Sequence, residues 1–368
     1  MTKLPVVSML ALLAGSLLTV APARADQALD QAKAFVAQVT ASSTSWTGPT
    51  SGPKAQGHKL VVYVSTDQRN GGARGTGEGA AEAAKAIGWE LRTLDGQGTV
   101  SGQNAALAQA IALKPDGIIL GGIDALQSGP MVHQAVNAGI KVVGWHSGPA
   151  TGPIANPPVA ANITTDPLQV ARAAALYVVA SSGGTGGVVI FTDSAYKIAI
   201  AKSDAMAAVI RQCKGCKVLA VEDTPLADVS SRMPQLATTL LTRHGAKWGY
   251  SLGINDLYFD FIAPSLQAAG IKGDGKPINV SAGDGSASAF QRIRDHKYQA
   301  GTVAEPLNLQ GWECIDELNR AFAGQAWSGY VPPVHLFTAA NIGADGGPKN
   351  LYDPGNGYRD HYRQIWGQ

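Results

Sequence analysis

Leu60-Val61-Val62-Tyr63-Val64-Ser65-Thr66-Asp67-Gln68-Arg69-Asn70-Gly71-Gly72 sets the pattern for the whole chain. Five apolar residues in unbroken succession suit a strand buried on both faces, and strands of that kind occur in parallel sheets covered by helices. The polar, glycine-containing run behind them is what the C-terminal end of such a strand presents to a ligand. Working outward, residues 78–87 read as an Ala-rich helix and 90–94 as the next strand. A helix over 103–113, a strand over 117–120, a helix over 129–138 and a strand over 141–145 continue the alternation. It then starts again, with strands at 188–191, 218–221, 248–252 and 278–280 and helices at 198–211, 233–243 and 261–269. The fold class is therefore α/β: two similar Rossmann-like lobes with parallel sheets, residues 161–180 opening the second.

The polar residues at the strand ends are the candidate binding set. They are Asp67 and Asn70 after the first strand, Asp124 after the third, and His146 after the fourth. The second lobe contributes Tyr196 behind Thr192-Asp193-Ser194-Ala195, then Asn255 and Asp284. Each is also a residue type common in turns and caps. Taken together they put hydrogen-bonding groups on two facing lobes, which suits a cleft for a small, hydrated, polar molecule.

Before the first strand, Lys3, the apolar run 4–20 and Ala23-Arg24-Ala25 read as a secretory signal peptide over residues 1–25. The run is shorter than the roughly 20 residues of a membrane span. The expected location is the periplasm. Without Lys3 and Arg24 the 29 basic residues become 27, equal to the 27 acidic ones. That balance speaks against nucleic acid and against an anionic membrane surface. Residues 26–41 have helical spacing, and 42–57 read as an extended strap that Trp46 pins to the surface. Cys213-Lys214-Gly215-Cys216 lies after a helix and before a strand, the reverse of a redox motif. A small structural disulfide between Cys213 and Cys216 is favoured over free thiols in an oxidising compartment. Cys314 reads as a buried thiol on an amphipathic helix.

Enzymatic motifs do not assemble. Gly75-Thr76-Gly77-Glu78-Gly79 is displaced from the turn that a dinucleotide fingerprint needs. GxSxG, Walker and HExxH patterns are absent, and the seven His are scattered. No catalytic residue, cofactor or metal site is assigned.

Element order over residues 59–330, together with VVYVSTDQRN (61–70), KPDGIILGGID (114–124), NAGIKVVGWHS (137–147), GINDLYFD (253–260) and NVSAGDGS (279–286), resembles the type I periplasmic substrate-binding proteins of ABC transporters, specifically the ribose-binding-like sugar group. The resemblance implies that Asn70, Asp124, Asn255, Asp284 and Glu305 hydrogen-bond sugar hydroxyls. It implies three crossings between lobes, near 146–148, 305–306 and 333–335. The lobes would be 58–146 with 306–334, and 147–305 with 335–368, the C-terminal tail being irregular and packed through aromatics. It further implies capture of a small sugar or polyol by a monomer and delivery to a membrane permease of an ABC transporter. A chemotaxis or histidine-kinase sensor, and a binder of a cationic amino-sugar, are the alternatives.

Two departures stand out. Gly72 and Ala73 occupy the place where sugar binders of this group carry stacking aromatics, so Trp145, Tyr196 or Tyr258 would have to substitute. An Arg common in the stretch 196–202 is replaced by apolar residues at the aligned positions. With Asp67, Asp124, Asp284 and Glu305 in the cleft and only Arg69, Arg74 and Lys197 as nearby cations, a neutral ligand is expected.

Overall fold

A computed structural model describes residues 21–368 apart from Ser43; the apolar run 4–20 lies outside them. Two six-stranded sheets form the two lobes, ordered β2-β1-β3-β4-β6-β5 and β12-β11-β10-β9-β7-β8. The first contains β1 (Leu60–Ser65), β2 (Glu90–Asp95), β3 (Gly117–Gly121), β4 (Lys141–Trp145), β5 (Gly152–Ile154) and β6 (Val159–Ile163). The second contains β7 (Gly187–Thr192), β8 (Lys217–Asp223), β9 (Tyr250–Gly253), β10 (Ile278–Ser281), β11 (Gly301–Ala304) and β12 (His335–Thr338). Pairing is parallel except at the two edges, where β5 runs antiparallel to β6 and β12 antiparallel to β11. The helices are α1 (Ala21–Val39), α2 (Gly71–Ile87), α3 (Val100–Ala112), α4 (Gly129–Asn137), α5 (Pro167–Ser181), α6 (Lys197–Gln212), α7 (Val229–His244), α8 (Leu257–Ala268), α9 (Ala287–Arg294), α10 (Leu307–Phe322) and α11 (Tyr358–Trp366).

The central strands are buried on both faces, as their unbroken apolar runs require: Val61, Val62, Tyr63 and Val64 are wholly inaccessible, and so are Val188 to Phe191. Helix α2 starts earlier than its Ala-rich stretch suggests, because the Asn70 side chain caps it by accepting from the Gly72 and Ala73 amides.

Three expectations about chain division change. The first crossing does not fall at 146–148: β6 pairs with β4 through Gly144↔Asn162 and Trp145↔Ile163, so the chain leaves the first lobe only after Ile163. The helix predicted over 26–41 begins at Ala21. The tail is not irregular throughout, nor confined to the second lobe. Its middle packs there, with Tyr352 against His335 and Phe337. Its end forms α11 on the first lobe, where Trp366 stacks on Trp312 at 5.4 Å and 4°. The N-terminal segment spans both lobes as well: α1 packs on α5, while Trp46 stacks on His361 of α11 and the Asn319 amide of α10 donates to the Pro53 carbonyl.

Helix α10 carries a row of buried acids under these tails. Burial drives the Glu317 carboxyl up to about 7, against an ordinary 4.5, although it accepts from the Ser328 amide. Burial raises Glu313 and Asp316 too. A carboxyl whose folded value is raised favours the native state below its unfolded value, and that support is lost as pH climbs through the folded value. Denaturant stability is expected to fall between pH 4.5 and 8, with Glu317 responsible for on the order of 2–3 kcal/mol. Glu317→Gln should flatten the slope and gain stability at pH 8; an unchanged slope in urea titrations at both pH values would refute this assignment.

The Cys213–Cys216 disulfide is formed, closing the link between α6 and β8, and Cys314 is a buried free thiol.

Candidate functional site

The C-terminal ends of the parallel strands in both sheets open onto one cavity between the lobes. Of the eight residues singled out from the sequence, Asp67, Asn70, His146, Tyr196, Asn255 and Asp284 line it. Asp284 faces residues of both lobes there. Its Oδ2 accepts from Asn255 Nδ2 at 2.7 Å, and its Oδ1 faces His146 Nδ1 at 3.9 Å. The loop carrying it is fixed by Asp256, whose Oδ2 accepts from the backbone amides of Asp284, Gly285 and Ser286 at 3.0, 2.8 and 3.1 Å. Asp256 in turn accepts from Gln299 Nε2 at 2.7 Å, so three backbone donors and an amide hold one buried carboxylate in place. Burial raises the Asp284 carboxyl above the ordinary carboxylate range, with His146 and Lys202 pulling the other way.

Glu305 does not reach the cavity. It is fully buried behind His146, accepting from His146 Nε2 at 2.8 Å, Gln310 Nε2 at 2.6 Å and the Thr165 amide at 3.1 Å. Although burial opposes ionisation, His146 and Lys202 bring this carboxyl down to about 2. With its lone pairs engaged, Glu305 orients the His146 ring instead of meeting a ligand. That ring also lies flat on Trp145, with centroids 3.9 Å apart and planes 8° apart, in a left-handed backbone conformation at φ 53°.

Asp124 is also outside the cavity. Its Oδ2 accepts from the Lys197 amide of the opposite lobe at 3.1 Å and its Oδ1 from the Gln127 amide at 3.0 Å, which makes it a contact between lobes. Tyr196 bridges the lobes too, its hydroxyl lying 3.2 Å from Thr66 Oγ1 and accepting from Gln103 Nε2 at 3.2 Å. Asp67 lines the cavity with its carboxylate bound to Arg69, Nη2 to Oδ2 at 2.7 Å. The Asn70 carbonyl oxygen caps α2, so its amide N–H groups are what it offers the cleft. Tyr258 is no stacking platform: it packs on Phe191 in the second lobe and donates to the Thr224 carbonyl.

The cation the sequence reading missed is Lys202. Only 2 % exposed, it lines the cavity, donates to the Ala282 carbonyl at 3.0 Å and lies 3.9 Å from Glu305. Its signal was present, since Ile198, Lys202 and Met206 fall four apart on the buried face of α6, where an unpaired ammonium would be costly. His146, Asp284 and Glu305 bring one ligand atom each within 4.8 Å of one another. The Lys202 ammonium lies beside them, 3.9 Å from Glu305, and places a fixed positive charge against the cluster.

No helix among the described residues is long and apolar enough to cross a membrane. No curated protein matches the sequence. Solved structures match the fold: a sugar ABC transporter protein from Yersinia enterocolitica subsp. enterocolitica 8081 (18% identity, TM-score 0.70, covering 87% of this chain and 99% of that one). A glucose-galactose binding protein from Geobacillus stearothermophilus is similar as well (19%, TM-score 0.68, 78% and 100%). So is a carbohydrate transporter solute-binding protein from Agrobacterium radiobacter in complex with D-arabinose (19%, TM-score 0.69, 81% and 100%). The family model described as periplasmic binding protein domain matches residues 61–326, taking in both lobes and every cavity-lining residue named above. The chain belongs to the periplasmic binding protein domain family.

Proposed function

We propose that the protein works outside the cytoplasm, captures a small uncharged sugar or polyol between its lobes without altering it, and delivers it to the permease of an ABC transporter. The observation that carries this reading is the position of Asp284, Asn255 and His146 on one cavity, with acceptors and donors from both lobes converging as hydroxyl groups require. Charge supports a neutral guest. Lys202 and the His146 ring lie against the buried carboxylates of Asp284 and Glu305, and an anionic guest would add a further negative charge to a dry cleft. Ligands of the structural neighbours, D-arabinose among them, are of the same chemical kind.

Closure follows from the cross-lobe contacts. Tyr196 to Thr66 and Asp124 to the Lys197 amide form only when the lobes meet, and a bound solute stabilises that arrangement. The test is a thermal-shift screen over pentoses, hexoses, polyols, amino-sugars and amino acids. A compound at 100 times its Kd should stabilise the protein by about 2.7 kcal/mol. A screen in which only amino acids or other non-hydroxylated solutes raise Tm would overturn the reading.

A further inference from the structure

The two sides of the cavity differ in chemistry. His146, Lys202, Asn255 and Asp284 form its polar end. The rest of the second-lobe lining is Ile198, Ala199, Leu226, Ala227, Ile254 and Leu257, together with Tyr196, whose hydroxyl is engaged by Thr66 and Gln103. Two of these stand just past strand ends, Leu226 beyond β8 and Ile254 beyond β9, the places from which polar side chains would otherwise reach a ligand's rim, and Ile198 lies in the first turn of α6. The wall is also built firmly. Asp193 accepts from the Leu226 amide at 2.8 Å and from the Ala195 amide at 2.9 Å, which fixes the loops on either side of it.

The first lobe brings no ring to stack on a solute from α2. A Cβ at Gly72 would run into the Asp284 carboxylate, and one at Gly71 would stand 2.8 Å from Ser286 Cβ. The glycines let the start of α2 close against the opposite lobe, so a side chain there would have to force the lobes apart. A solute hydroxylated all round would therefore turn some hydroxyls onto aliphatic carbon, leaving them without partners.

On the reading of this cleft as a solute site, we propose that the guest is amphiphilic: a deoxy sugar, whose hydroxyls meet Asp284, Asn255, His146 and Lys202 and whose methyl or methylene end lies on the Ile198–Leu226–Ile254 wall. An apolar pocket discriminates a missing or added carbon-bound group by about 10–200-fold.

The experiment is titration calorimetry with matched pairs: D-galactose and 6-deoxy-D-galactose, L-mannose and L-rhamnose, D-ribose and 2-deoxy-D-ribose. The deoxy member of one pair is expected to bind at least about tenfold tighter than its hydroxylated partner. Leu226→Asn should narrow or reverse that preference while leaving the fold intact by circular dichroism. If the hydroxylated member binds as tightly or tighter in every pair that binds, the proposal fails and the sugar-binding reading stands. If no sugar or polyol binds and another class of solute does, both fail. Failure of every probe overturns the proposal outright.

Discussion

Asp284→Ala is expected to weaken solute binding by about 10²–10³-fold in calorimetry, the largest loss of any single cleft substitution. The carboxylate is 4 % exposed and surrounded by donors, so hydrogen bonds it accepts from solute hydroxyls are charge-assisted. Such bonds contribute about 1.5–3 kcal/mol each, and removing their acceptor also leaves the Asn255 side-chain amide without its partner. Asp284→Asn retains the shape and one acceptor and should lose less. Asp124→Ala is the informative contrast. It touches lobe closure and not the cavity, so it should reduce affinity only through the fraction of closed molecules, by about tenfold or less. Acidification should act like the Asp284 substitutions. Burial raises this carboxyl, so its acceptor character is lost at a higher pH than for an ordinary aspartate, and affinity should fall as pH falls through that raised value. An Asp284→Ala protein that binds within threefold of wild type would remove Asp284 from the site.

Much of the framework was legible because it is local. Unbroken apolar runs such as Val61–Val64 and Val188–Phe191 can only be satisfied in covered parallel strands, and the polar residues behind them must then share one rim. The rim alone does not say which member faces inward. Asp124 and Glu305 carry the right chemistry, yet one holds a backbone amide of the other lobe and the other holds a histidine, and both relations are set by tertiary contacts more than 70 residues apart in sequence. Lys202 was hidden for the opposite reason, lying a full turn inside α6 and away from any strand end. The first crossing was misplaced because β5 and β6 are short and return to the first sheet, where the antiparallel edge breaks the strand–helix alternation. The apolar wall was invisible to a search for polar groups: Leu226 and Ile254 carry no polar side-chain atom to mark them, and only the folded loops turn them toward the cleft.

Trp312→Ala is expected to cost about 3–5 kcal/mol, the usual range for deleting a fully buried tryptophan. Trp312 is wholly inaccessible on α10, covered by Trp366, Tyr362 and Tyr358 of α11, with the Arg363 guanidinium 5.5 Å from its ring centre. No residue of this stack lines the cavity, so the loss should appear in stability and not in intrinsic affinity. The midpoint of thermal unfolding should drop by about 6 °C or more. The consequence reaches beyond one core residue. Helix α11 is the far anchor of a tail whose near end, Tyr352, packs on Phe337 of the second lobe, and Arg359 ties it to Glu82 of α2 at 2.6 Å and to Asp353 at 3.1 Å. The N-terminal strap uses the same ground, with the Ala55 amide donating to the Trp366 carbonyl at 3.0 Å. Loosening α11 should therefore expose both tails together, and limited proteolysis of Trp312→Ala should cut around 42–57 and 353–368 before either lobe. Solute affinity should stay within a few fold at a temperature where the variant remains folded. If affinity instead falls in step with stability, the tails are coupled to lobe closure, and the separation between scaffold and cleft drawn from the positions of these side chains is wrong.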